Sequence, residues 1–471
     1  EVWCIMGNGV YLSRSQSSNE DSTARKKFTI SGWYKLGGNG DGGGWKGFWS
    51  AAVDNNNYSS LKQNADGQII FEQKSSGTGV TWTSTGKYRD FSSWYHIVVA
   101  YDSTQASNTD RVKVYINGTQ PAGTYGSFTQ DQEGFWGNSS ATAGIGRYNN
   151  NTGSSYMYTG YMTHVACTVG YALAPTVFGE TDSTTGEWKI RGAPTGISYS
   201  ANGFLLKFEN SGTMGTDSSG NNNTFTVNGV GGSDGTLVQV TDVPDNQFIT
   251  MNELAKSSFV DLREGSLNCK GNTNSNNGNV DSSYALYSGK WYVEMKFVTA
   301  ASSSATNYPA IGVYPVFLSR QAANGGTLVQ AGYFSDGVQF EPDGQRFRNN
   351  ARSSYGNSWS TGDIIQIALD MDNYCVYFGI NNTWQNSGVP TSGASKTNNA
   401  QAWTADAGPY VFQDSPFNNS VNSWNFGNPQ HAITSNSGNG YADANGHGKF
   451  QYAPPTGYYA CCTKNINQYG G

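Results

Sequence analysis

The sequence predicts an all-β protein built as two antiparallel β-sandwiches, or jelly rolls, joined by a Gly/Asp-rich linker. Three observations predict it. Alternating runs recur along the chain, as in Phe28-Thr29-Ile30-Ser31-Gly32-Trp33-Tyr34-Lys35 and Lys290-Trp291-Tyr292-Val293-Glu294-Met295-Lys296-Phe297, and a period of two marks strands with differently filled faces. Charged residues make up 13% of the chain, aromatic residues 14%, and Gly numbers 60. That balance fits many short strands joined by Asn/Ser/Gly turns, because disordered chain carries more charge and fewer rings. Finally, 471 residues exceed one ordinary core and divide naturally into two domains of about 200 residues.

The first domain is read as residues 1–228. After the Phe28–Lys35 strand comes Trp94-Tyr95-His96-Ile97-Val98-Val99-Ala100-Tyr101-Asp102. Arg111 to Ile116 then sets Val112, Val114 and Ile116 on one face, and Asn117-Gly118 supplies the pair that tolerates positive φ in a type I′ hairpin turn. Ala143-Gly144-Ile145-Gly146-Arg147 and Tyr158 to Ala166 continue the series. Gly203 to Glu209 reads as a strand and Asp217 to Thr226 as a polar turn, together closing the sandwich. In order, FTISGWYK, WYHIVVAYD, RVKVYINGTQ, AGIGR and GYMTHVAC resemble the laminin G-like jelly roll over about residues 20–180. The Gly/Asp/Val-rich stretch ending at Pro244 and Asp245 places a linker at 229–247.

The second domain is read as 248–455. Its strand at Lys290–Phe297 answers a later run, Gly362 to Asp372, which continues beyond an Asp372-Asn373 turn into Val376 to Trp384. Here the chain resembles the SPRY-like branch of the concanavalin-type sandwiches, which implies binding of proteins or glycans without chemistry. Pro454-Pro455 predict an extended exit into a C-terminal tail, 456–471. The whole series, with DSSGNNNTFTVNG, DVPDNQFITMN, GKWYVEMKF and YAPPTGYYACCTKN, resembles structural proteins of tailed bacteriophages of aquatic bacteria. That resemblance implies a virion surface protein on a fibre, tail or capsid. Its implied partners are other virion proteins, copies of itself and host surface polysaccharide.

Other classes fit poorly. A formal charge of −6 with no basic cluster longer than Arg25-Lys26-Lys27 argues against nucleic acid, and no stretch approaches the roughly 20 apolar residues of a membrane span. The six cysteines lack the CxxC spacing of zinc sites. Cys167 and Cys375 read as buried thiols, whereas Cys4 and the Cys461-Cys462 pair are candidates for cross-links in an oxidising compartment. The paired-carboxylate string Glu-x-Asp-x-x-Glu of sandwich glycosidases is missing; Glu341-Pro342-Asp343 is the nearest approach and reads as a hairpin loop. His96 and His164 read as strand-packing residues, and His431 and His447 fall in polar loops without a nucleophile motif. The expected protein is therefore not an enzyme.

Two kinds of site follow from the laminin G resemblance and the composition. The resemblance implies calcium held by loop carboxylates at the sandwich rim, with Asp102 and Asp110 as candidates because they bracket the Ser103–Thr109 loop. Glycan binding needs an aromatic platform for the apolar sugar face and polar groups for its hydroxyls. The candidate platforms are Trp45 and Trp49 after the Gly37–Gly44 loop, Trp82 near Gly79, Trp136 in a glycine-containing loop, and Trp384 at a hairpin end. Two rival expectations share this fold: a purely architectural cement or decoration protein, and a secreted cellular adhesin or filament subunit.

Overall fold

The computed structural model describes residues 3–7, 9–38, 44–148, 156–184, 186–191, 194, 196–229, 237–272, 278–301, 309–317 and 329–470. The protein is nearly all β, with 43% of residues in strands and 9% in helices, so its backbone hydrogen bonds are satisfied mainly between segments rather than within them. It divides into two compact units, 1–239 and 240–471. Residues 230–236 of the expected linker lie outside the described residues. Leu237–Val240 forms an edge strand of the first unit's sheet, and Asp242 and Asn246 are buried in the second.

In the first unit, one sheet runs in the order Leu237–Val240, Trp3–Met6, Gly160–Val169, Lys27–Leu36, Trp94–Asp102, Val112–Ile116, with Phe204–Leu206 also on Gly160–Val169. The other runs Gly123–Tyr125, Thr78–Ser84, Ile69–Ser75, Asn57–Gln63, Lys46–Asp54, Thr142–Ile145, Tyr11–Ser15, Thr226–Asn228. Ile30, Tyr34, Val99 and Val114 of the first sheet meet Trp49, Leu61, Phe71 and Trp82 of the second in one core, with rings touching across it at Phe28–Phe71 (6.3 Å) and Tyr34–Phe48 (4.7 Å). The closing role read for 203–226 holds in detail. Phe204–Leu206 joins one sheet and Thr226–Asn228 the other, while the intervening turn is knitted by Asp217, whose carboxylate accepts from the backbone N–H groups of Leu205, Ser219 and Asn223.

The second unit pairs a sheet ordered Met251–Lys256, Val280–Ser282, Tyr410–Ser415, Ala310–Pro315, Val338–Phe340, Gln345–Arg348, Ala351–Ser354 with one ordered Val260–Arg263, Asn268–Gly271, Val421–Asn425, Lys290–Thr299, Ile364–Asp370, Cys375–Ile380, Thr383–Trp384. Gln401–Ala402 and Tyr459–Ala460 add to the latter. Phe412 meets Trp424 at 6.3 Å and Phe340 meets Phe378 at 5.5 Å between the sheets. The expected hairpin forms with Asp370 opposite Cys375 and Ile365 opposite Ile380.

The C-terminal segment, described over 456–470, packs onto the second unit: Tyr459–Ala460 pairs in parallel with Trp291-Tyr292, a short helix follows at Thr463–Tyr469, and Tyr458, Ala460 and Cys462 bury against Phe248, Tyr292, Tyr377 and Phe450. The physical reason is Tyr292. It alternates away from the inter-sheet core and would expose a large ring without this cover. The cysteines are likewise all free and buried, so Cys4, Cys461 and Cys462 form no cross-link; burial pushes the Cys375 and Cys462 thiols up to about 11.

Candidate functional site

The outer face of the second sheet of the first unit gathers the polar-aromatic groups that a ligand could use. In Asn57–Gln63 the alternation sends Leu61 into the core and Tyr58, Ser60 and Lys62 to the opposite face. The antiparallel register then sets Tyr58 opposite Lys74 and Ser60 opposite Glu72. Trp45 precedes the next strand, Lys46–Asp54. Tyr148 and Tyr156 belong to chain that returns over that strand, where the N–H of Gly47 donates to Tyr156 O at 3.1 Å. Gly47 is required for this approach, because a Cβ there would lie 2.3 Å from Tyr148 N and 2.7 Å from Tyr156 O.

Four rings form a row: Trp45–Tyr156 at 5.3 Å, Tyr156–Tyr148 at 5.7 Å and Tyr148–Tyr58 at 5.5 Å between centroids. Lys62 threads it, its ammonium 4.1 Å from the Tyr148 centroid and 5.6 Å from that of Trp45, each cation–π contact worth about 0.5–1 kcal/mol when exposed. Lys62 Nζ donates to Glu72 Oε2 at 2.6 Å, and the Tyr148 hydroxyl donates to the same oxygen at 3.1 Å. The Tyr58 hydroxyl is therefore left to donate to Tyr148. Burial raises both phenols well above the usual tyrosine value, keeping them protonated donors. Trp45, Tyr148, Tyr156 and Lys74 are each half-buried and keep an outer surface, whereas Tyr58 is 2% exposed and the Lys62 and Glu72 side chains are 12% and 13% exposed, so these three mainly support the exposed rings from below. Tyr156 holds φ +68°, a left-handed conformation that costs energy for a bulky residue and recurs at ligand-contacting positions.

The other candidate tryptophans have different places. Trp49 (1% exposed), Trp82 (0%) and Trp136 (0%) are core residues, with Trp49 and Trp136 touching at 5.8 Å; they offer no face to a ligand. A bulge between Gly47 and Trp49 carries Phe48 and Trp49 inward together, and Trp82 takes the inward phase of its strand beside Gly123, where a Cβ would strike its ring. Trp384 is half-buried on the second unit's outer cluster. The segment 39–43 before Trp45 lies outside the described residues.

The two calcium candidates are not assembled into an ion site. Asp102 Oδ1 accepts from Thr104 N and Oγ1, and Oδ2 accepts from Gln105 Nε2 at 2.8 Å and pairs with Lys27 at 3.3 Å. Asp110 pairs with Lys113 at 3.4 Å. Among the described residues no three His, Cys, Asp or Glu side chains cluster as metal ligands.

Three of the four histidines bond to neighbouring side chains within the fold. Trp188 Nε1 donates to His96 Nδ1 at 3.0 Å, so the ring proton sits on Nε2 and is donated to Ser31 Oγ, 2.8 Å away. In that tautomer His96 cannot accept the serine proton, and burial lowers its pKa to about 3. His164 bonds Thr163 at a bulge, and His431 bonds Ser423 Oγ at 3.0 Å.

Of the residues gathered on this face, the sequence names Trp45 as a candidate and does not single out Tyr58, Lys62, Glu72, Lys74, Tyr148 or Tyr156. Strand register brings Tyr58, Lys62, Glu72 and Lys74 to one face, which the sequence does not announce, since Tyr58 and Leu61 of NYSSLKQ fall on opposite phases and IIFEQKS opens on three consecutive apolar residues. Tyr148 and Tyr156 arrive from a distant return segment that no local pattern announces.

Comparison with known proteins agrees with the fold. Residues 8–174 match the laminin G-type model of the Concanavalin A-like lectin/glucanases superfamily. No curated protein matches the chain. Similar solved structures include the SPRY domain of human HERC1 (TM-score 0.28, 14% identity, 37% of this chain and 96% of that chain). Another is the native heptameric SAP-like pentraxin of Limulus polyphemus (TM-score 0.27, 15% identity, 37% of this chain and 78% of that chain). A lectin-like sandwich suggests a binding function, and residues 8–174 are similar to that superfamily.

Proposed function

We propose that this chain is a non-enzymatic virion surface protein that attaches to bacterial surface glycans through the outer face of its first sandwich. The observation that carries the proposal is the row of part-exposed rings Trp45, Tyr156 and Tyr148, backed by the buried Tyr58 and interleaved with Lys62, Glu72 and Lys74. Stacking surface and hydrogen-bonding groups alternate there, as a sugar's apolar face and hydroxyl rim demand. Hydrolysis by the paired-carboxylate route needs two carboxylates across the bond, whereas Glu72 is one and is engaged by Lys62 and Tyr148. Placement on a phage particle rests on the motif series DSSGNNNTFTVNG, DVPDNQFITMN and GKWYVEMKF, and repeated copies there would raise avidity without new contacts.

The test is calorimetric titration of the intact chain with extracted bacterial surface polysaccharides. Saturable binding that falls about tenfold or more in Trp45→Ala and Tyr156→Ala, with unchanged melting, is expected. No saturable binding by folded, multimerised protein would overturn the glycan reading. Mass spectrometry of purified particles tests the virion placement.

One observation favours a second, architectural reading. Met251–Lys256 is an edge strand in its sheet and holds Leu254 67% exposed; an open edge with an apolar side chain is suited to contact with a neighbouring virion protein or another copy.

A further inference from the structure

Resting on the glycan-binding reading, we propose that the ligand of this face is an acidic glycan, whose anionic group is met by Lys74 beside the open strand position at Gly79. In a chain of formal charge −6, the face runs against the overall sign. Its described residues set Lys62, Lys74 and Arg147 against the single carboxylate of Glu72. Arg147 reaches the face along Gly144 and Ser50, where its Cγ would lie 2.9 Å from a Cβ at Gly144, and its guanidinium sits 4.4 Å from the Tyr11 centroid.

The one negative charge is already countered. Glu72 Oε2 receives Lys62 at 2.6 Å and Tyr148 at 3.1 Å, so it does not repel an incoming anion as a bare carboxylate would. Lys74 is differently placed. It makes no ion pair among the described residues, and its ammonium lies 5.8 Å from the Tyr58 ring centroid. On the adjacent strand Gly79 pairs with Lys74 and is exposed. A Cβ there would meet Glu72 Oε1 at 2.8 Å and the Lys74 stem at 3.8 Å. The missing side chain thus leaves a gap floored by backbone, with an ammonium on one side and the second oxygen of Glu72 on the other. A sugar ring stacked on Tyr148 and Tyr156 can place its carboxylate or phosphate on Lys74 and a hydroxyl on Glu72 Oε1. A neutral sugar would use the hydroxyl acceptor and leave the cation unanswered.

The experiment titrates the intact chain with uronic-acid oligosaccharides and with the same oligosaccharides after carboxyl reduction, and in parallel with phosphorylated oligosaccharides and their dephosphorylated forms. Whichever charged series binds identifies the anion. The expected result is binding of a charged form that weakens about fivefold or more on neutralisation, weakens with added salt, is reduced to the same extent by Lys74→Gln, and is retained by Lys74→Arg. The Lys74→Gln protein should melt with wild type, since the side chain makes no ion pair. Equal binding of charged and neutral forms, both lost in Trp45→Ala, would overturn the acidic-ligand inference and leave glycan binding standing. Failure to bind any of these probes or the extracted surface polysaccharides would overturn the glycan reading itself.

Discussion

Indole side chains in this chain have two fates, decided by the phase of the strand that carries each one. Trp82→Ala should destabilise the first unit by about 3–5 kcal/mol, the range for emptying a buried aromatic site, and abolish ligand binding only through unfolding. Trp45→Ala should shift the denaturation midpoint little while weakening glycan binding; paired denaturant melts and titrations check both. Composition alone ranked the five tryptophans equally. What separated them was a bulge at Gly47–Trp49 and the placement of Tyr148 and Tyr156 over Gly47, neither of which leaves a local trace in the sequence. The carboxylate at Asp102 follows the same logic. Hydroxyl, amide and lysine donors already occupy both its oxygens, so excess chelator or millimolar calcium should leave the melting temperature unchanged. A calcium-dependent rise in melting, lost in Asp102→Asn, would contradict that assignment.

Among the elements, the turn at Asn117-Gly118 was fully legible. Both residues hold positive φ, +49° and +76°, and Ile116 bridges Thr119, as the type I′ geometry requires. The return strand was not legible: Gly123–Tyr125 leaves the hairpin and pairs with Thr78–Ser84 in the opposite sheet. Gly118 also lies under the Trp188 ring, where a Cβ would come within 2.6 Å. Gly186 has a similar φ of +75° with nothing within 4 Å. Both Gly→Ala changes incur left-handed strain of about 1 kcal/mol; Gly118→Ala should lower the melting temperature clearly more, because it also displaces the ring. Equal effects would mean that the Trp188 contact contributes nothing.

At the scale of the whole molecule, the two units should respond to acid with opposite sign. Burial holds His96 down to about 3 and His164 down to about 4 in the first unit. Their unfolded forms take up protons near 6.5, so the first unit's stability is full above that value and falls as pH drops toward 4. In the second unit burial pushes Asp414 and Glu294 up to about 7 and Asp281 up to about 6. These native carboxyls take up protons that their unfolded forms, near 4, do not yet bind. Their contribution is full below about pH 4 and is lost as pH rises through 6 and 7. His431, lowered to about 3, opposes them, but these three carboxyls together with Glu341, which burial raises to about 6, outweigh one imidazole, at about 1.4 kcal/mol per pH unit for each net proton. Buried thiols report on each unit: Cys4 and Cys167 on the first, Cys269, Cys375, Cys461 and Cys462 on the second. Brief alkylation along thermal ramps at about pH 5 and about pH 7.5 should show the first unit opening earlier at the lower pH and the second opening later. Parallel shifts of both sets would refute the prediction.

Alternation, turn chemistry and low charge by themselves determined that this chain is β-rich and sandwich-forming, because a strand's period and a turn's φ are local properties written in neighbouring residues. Only the tertiary structure decided which phase faced outward next to which, that Tyr148 and Tyr156 return over Gly47 to complete the row of rings, that Trp49, Trp82 and Trp136 fill the core, and that the C-terminal segment covers Tyr292. Those outcomes depend on register, bulges and contacts between residues up to more than a hundred positions apart in the chain. Their energies come from packing that no short window of sequence contains.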